Sequence, residues 1–180
     1  MLAPWPGDAC GDGCGSWGGL PVAATALTAT VAVYVLLVVF GNVTDFGTNR
    51  DFVRHVLAMD TTFKDDDLMW RAVTSRPLQD LAYVLIIVWE AATAAVLLTA
   101  TVRWVRALRR GGYERARRTA TLGLVMFLLL FGLGFIAIGG EWFAMWQSAR
   151  WNGLGAAERN FVVAGLVLLV IHLPGRWPAD

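Results

Sequence analysis

The sequence predicts an all-α fold, a four-helix transmembrane bundle carrying short amphipathic helices in its first extracytoplasmic connection. Three observations predict it. Four apolar segments approach the ~20 residues that a helix needs to cross a bilayer core of ~30 Å. Seven arginines (103, 106, 109, 110, 115, 117 and 118), with Glu114 as their only acid, separate the second segment from the third. Finally, 57% of the residues are hydrophobic and 16% charged, against about 25% charged in soluble domains. The net charge of +1 also lacks the basic excess of a nucleic-acid binder.

Residues 1–20 read as a disordered cytoplasmic tail. Cys10 and Cys14 lie in it, and a Cys-x3-Cys pair without further Cys or nearby His cannot complete a tetrahedral zinc site. No Lys or Arg precedes the first apolar run, so the start does not resemble a signal peptide. The membrane domain is then expected over residues 21–173, with a cytoplasmic tail at 174–180. The first span, about 21–41, is uncharged and opens with Pro21, whose missing N–H is harmless in a first turn. Ala24, Thr28 and Ala32 form a small-residue stripe suited to close helix packing.

Residues 42–76 form a long polar connection of mixed charge. Phe52, Val56 and Met59, then Leu68, Met69 and Ala72, repeat at helical spacing and predict two amphipathic helices at the membrane surface, separated near Asp60–Phe63. Asp65-Asp66-Asp67 suits the N-terminal dipole of the second helix better than a metal ion, since three consecutive side chains cannot converge.

The second span, about 77–102, starts at Ser75-Arg76-Pro77 and contains Glu90, the single acid deep in an apolar segment. Ala91, Ala95 and Thr99 make a second small-residue stripe. The arginine-rich residues 103–118 read as a cytoplasmic loop by the positive-inside rule, which accounts for the arginines without a phosphate ligand. Both termini are then cytoplasmic, and the 42–76 and 141–159 connections share the outer face. The third span, about 119–140, is punctuated by glycine, and the fourth, about 156–173, stops at Pro174-Gly175, with Trp177 as an inner anchor.

Soluble catalytic motifs are missing, and neither a metal nor another cofactor is expected. His55 and His172 fall in different compartments and cannot serve as a haem pair. A carboxylate in mid-bilayer is penalised by several kcal/mol and ordinarily faces a partner in the bundle. Counting ~1.5 Å per residue from the outer ends places Glu90 and His172 at a similar depth, so these two are the intramembrane polar candidates and are expected to face each other. Glu141 lies at the outer boundary, where an arginine from the outer connections should pair with it. The Trp-rich stretch Gly139–Ser148, with Trp151-Asn152-Gly153, reads as the outer exit of the third span, its indoles at headgroup level. It should lie flat as a short helix or turn and pack on residues 49–76.

The runs Asn42-Val43-Thr44-Asp45-Phe46-Gly47-Thr48-Asn49 and Phe52-Val53-x-His55-Val56-Leu57-x-Met59-Asp60-Thr61-Thr62-Phe63 resemble a bacterial family of predicted small integral membrane proteins, domain of unknown function 2165. Trp70-Arg71-Ala72, Trp89-Glu90 and Gly139-Gly140-Glu141-Trp142-Phe143-x-Met145-Trp146-Gln147-Ser148 carry the same resemblance. It extends over about residues 25–173 and implies four spans in a bacterial inner membrane, with no activity to carry over. The outer-face cap candidates are Asp45, Asn49, His55, Asp60, Trp70, Arg71, Glu141, Trp142, Trp146, Gln147, Trp151 and Asn152.

Two functions are compatible with this reading: a non-catalytic structural or accessory subunit of a membrane assembly, and a small oligomeric transporter or proton-coupled carrier centred on Glu90. The expected partners are the lipid bilayer and either a second copy or another membrane protein. A lumen lined by Glu90 favours transport, and a sealed Glu90 favours the structural role.

Overall fold

A computed structural model describes residues 19–173. The expectations for both terminal tails, including Cys10, Cys14 and Trp177, lie outside these residues. Five helices follow in order: α1 (Leu20–Thr44), α2 (Phe46–Ala58), α3 (Arg76–Arg110), α4 (Tyr113–Trp142) and α5 (Leu154–His172). All but α2 are long and apolar enough to cross a membrane, at 25, 35, 30 and 19 residues. At 1.5 Å per residue, α3 measures ~52 Å and α5 only ~28 Å.

The four long helices form a ring, α1 against α3, α3 against α4, α4 against α5, and α5 back against α1. The core is built from small and branched side chains, among them Ala24, Ala32, Leu97, Ala100, Ala120, Leu124 and Ala164, all fully buried. Gly123 permits the close approach of α4 to α3, since a Cβ there would lie 2.7 Å from the Leu97 side chain. Gly132 plays the same part toward α5, with the Phe161 ring filling the place of its missing side chain.

Several local expectations are corrected. The arginine segment is not a loop: α3 continues to Arg110, only Gly111 and Gly112 interrupt, and α4 begins at Tyr113. Arginine is a good helix former, and Arg109 and Arg110 complement the negative end of α3. Glu114 sits in the first turn of α4, held by Arg117 and Arg118. The first connection contains one true helix, α2, which ends where Met59 turns left-handed (φ 52°). The second expected helix shrinks to a single 3-10 turn, Met69–Arg71. The stripe Ala91, Ala95 and Thr99 faces outward, whereas Thr93, Ala94, Leu97 and Ala100 form the packed face of α3.

From Leu129 to Trp142, α4 is wound as a π-helix, closed by a 3.0 Å bond from the Phe143 N–H to the Ile138 carbonyl. Such winding is rare beyond one turn and recurs at functional sites. Here it shapes the wall that carries Phe131 and Phe135.

Candidate functional site

The end of the bundle opposite the arginines is covered by a cap of two parts. One is α2 with the chain to Arg76, and the other is residues 143–153. Met59, Phe143 and Ala144 form its buried centre, with Val56, Leu57, Leu68 and Val73 around them. The Thr61 and Ser148 hydroxyls lie 2.8 Å apart, and the Phe63 N–H donates to Gln147 Oε1 at 2.9 Å.

Aromatic pairs complete the seam. Trp70 and Trp142 meet edge to face at 5.5 Å, and the Arg71 guanidinium lies 5.0 Å from the Trp142 ring and 5.6 Å from Trp70. Phe63 meets Trp146 at 5.9 Å. His55 stacks on Trp151 with ring centres 4.5 Å apart, and its Nδ1 contacts Asp60 at 2.8 Å. Asn152 Oδ1 accepts the Leu154 N–H at the start of α5, and Asn49 donates to the Asp45 carbonyl within α2. The cap residues picked out from sequence, Glu141 apart, thus fall in or beside this seam or at the helix starts that border it.

Glu141 is corrected. It is exposed and forms no ion pair among the described residues. Arg71 instead donates to the Trp142 carbonyl, and Arg54 is taken by Asp80 through two parallel bonds of 2.9 and 3.0 Å. That pair fastens α2 to α3, while Phe52 and His55 hold its other side against Trp151.

Beneath α2 lies a cavity of about 300 Å³. Glu90 from α3, Asn42 and Tyr34 from α1, Tyr83 from α3 and Asn160 from α5 supply its polar lining, with Asn49 at the α2 side. Phe52, Ile86, Phe131 and Phe135 supply apolar walls. Glu90 is 3% exposed and accepts a 2.6 Å bond from the Asn42 amide. Tyr83, itself buried, donates to the Asn42 main-chain carbonyl at 2.9 Å and so fixes the residue that holds Glu90. Asn160 is 7% exposed, and its side chain makes no hydrogen bond with any described residue. An amide that lines the pocket without a protein partner leaves both its donors and its acceptor for whatever enters the chamber.

Glu90 and His172 do not meet. His172 Nε2 lies 2.8 Å from Thr121 Oγ1, on the exposed face near the arginine end. Gly123 packs at Leu97, so Thr121 stands near the level of residue 99 on antiparallel α3. Glu90 is ~13 Å nearer the cap. Glu90 of α3 and Asn160 of α5 line one cavity, so the two helix starts lie at different heights and equal rise along them does not bring Glu90 and His172 to one level.

An apolar cavity of about 320 Å³ lies next to the polar one, between α2, α3 and the π-wound part of α4. The two share Phe52, Val53, Ile86 and Phe135. A smaller groove between α1 and α5 shares Tyr34 and Asn160 with the chamber and adds Arg159. Of the polar lining, Glu90 and, as a cap candidate, Asn49 were picked out from the sequence. Asn42, Tyr83 and Asn160 are ordinary residues until the fold converges them. Among the described residues no group of three His, Cys, Asp or Glu is placed to hold a metal.

The family described as "Predicted small integral membrane protein (DUF2165)" matches residues 20–174. No curated protein and no solved structure matches the chain.

Proposed function

The chain belongs to this family of predicted small integral membrane proteins, its match running through all four candidate spans, and we propose, from the geometry of the site, that it binds and carries a small solute in the chamber beneath α2. The observation that carries the proposal is the cavity itself, in which a buried carboxyl, Glu90, and an unpartnered amide, Asn160, line the same pocket. Buried polar groups in a membrane bundle are expensive and mark solute or proton pathways when they line a cavity. The chamber offers one acid and several amide and phenol groups, with no basic residue in its lining. That chemistry suits a solute presenting an ammonium or another strong hydrogen-bond donor to Glu90. The helix α2, fastened by Arg54–Asp80 on one side and by Trp151 on the other, is the lid that such a solute must pass.

The purified protein in liposomes, given radiolabelled methylammonium outside and a pH-sensitive dye inside, tests this reading. Uptake or proton movement that the wild type supports and Glu90→Gln abolishes is the expected result. Absence of both in the wild type overturns it. A second reading, an accessory subunit, is favoured by the exposed aromatic face of the cap, where Phe63, Trp70, Trp142 and Trp146 are 46–72% exposed. Recovery of a stoichiometric partner from native membranes supports that reading, and recovery of the protein alone counts against it.

A further inference from the structure

At the other end of the bundle, the α3–α4 hairpin holds a cleft of about 750 Å³ lined by Arg103, Arg106, Arg110, Arg115 and Arg118, with Glu114 as the one acid. Glu114 is engaged by Arg117 at 3.1 Å and Arg118 at 2.8 Å. Arg103, Arg106, Arg110 and Arg115 have no carboxylate partner among the described residues. All four are exposed. Arg103 also donates to the Thr119 hydroxyl, which sets its guanidinium between the two helices.

The cleft does not end at the arginines. A groove of about 540 Å³ runs on from it along the α3–α4 contact, sharing Arg103, Arg115 and Arg118 and floored by Ala95, Val96, Thr99 and Leu122. It exists because the small side chains Ala95 and Thr99 face outward and leave a shallow channel. From Arg103 down to Ala95 it extends ~12 Å at the helical rise. The arrangement is amphipathic in one direction, with guanidinium forks above and a shallow, mostly apolar trough below.

We propose that this site binds an anionic phospholipid, its phosphate held by Arg103 and Arg115 and one acyl chain laid along Ala95, Thr99 and Leu122. Guanidinium forks match phosphate oxygens in pairs, and basic pockets between membrane helices select anionic headgroups. A free phosphate would satisfy the cleft and leave the trough empty. The trough is therefore what commits the site to a lipid.

Thermal unfolding and native mass spectrometry of the full chain in detergent test the assignment, using phosphatidylglycerol, phosphatidylcholine of the same acyl chains, and glycerol phosphate as probes. Phosphatidylglycerol should raise the midpoint and survive as a one-to-one adduct, and the other two should do neither. Arg103→Gln with Arg115→Gln should weaken the phosphatidylglycerol adduct at least tenfold. It should leave the midpoint in phosphatidylcholine unchanged, and five arginines remain to hold the topology. Ala95→Phe, on an exposed face, should block the trough and weaken lipid binding by a similar factor. Equal effects of phosphatidylglycerol and phosphatidylcholine, or of phosphatidylglycerol and glycerol phosphate, overturn the proposal. So does undiminished binding in Ala95→Phe.

Discussion

The Asn42 amide donates a 2.6 Å hydrogen bond to the Glu90 carboxyl across the α1–α3 contact. Tyr83 holds the main chain of Asn42 from the same helix that carries Glu90. One polar residue on α1 is thus clamped twice by α3, and the chamber's geometry depends on that clamp.

Asn42→Ala should therefore destabilise the bundle by about 1–3 kcal/mol, the cost of leaving a buried polar group without its partner. Glu90→Gln, which preserves shape and hydrogen-bonding capacity, should cost less. Unfolding of both variants in mixed micelles checks the order, and equal losses would show that the Asn42–Glu90 bond does not govern stability.

Gly123→Val should destabilise by about 1–3 kcal/mol through overpacking, because even the Cβ lies 2.7 Å from fully buried Leu97. Gly155→Ala serves as the control, with nothing within 4 Å of its Cβ position. The same unfolding measurement should separate the two clearly.

The stack of His55 on Trp151 ties α2 to the chain entering α5. A double-mutant cycle with His55→Ala and Trp151→Ala should return a coupling of about 0.5–1.5 kcal/mol, the range of aromatic pairs beyond their buried area. A coupling indistinguishable from zero would mean the lid is not held on that side.

Asp80→Asn should loosen the other side of the lid by removing the charge from the two bonds to Arg54. Amide exchange over residues 50–58 should quicken while the core of α3 stays protected. Uniform quickening across all helices would assign the pair a global role instead.

Orientation is open to a direct measurement. In a chain lacking Cys10 and Cys14, an impermeant thiol reagent applied to intact cells should label Asp66→Cys and leave Arg110→Cys unlabelled until the membrane is permeabilised. The reverse pattern would place the arginine end outside.

The spans were legible because hydropathy and length answer directly to the bilayer, and the helices exceed the expected limits by a few residues at most ends. The arginine segment was misread as a loop because charge density signals topology, while helix continuation there depends on propensity and on only two glycines. The seam of the cap was legible from its Trp and Phe content. The chamber was not, apart from Glu90, since Asn42, Tyr83 and Asn160 are separated by up to 118 positions and gain meaning only when three helices converge. Asn42 stands in a motif that the sequence does show, but its pairing with Glu90, 48 positions away, follows only from the packing of α1 on α3.

The unequal helices have a consequence for the surrounding lipid. At ~28 Å, α5 just reaches across a hydrocarbon core of ~30 Å, whereas the apolar part of α3, residues 77–102, overshoots it by ~9 Å before its arginine-bearing end begins. A membrane that fits one flank of the ring is therefore too thick or too thin for the other. Hydrophobic mismatch of this kind costs fractions of a kcal/mol per Å and sorts proteins among bilayers of different thickness. The molecule should thin thicker membranes locally around α5, and should lean in thinner ones until the excess of α3 is covered.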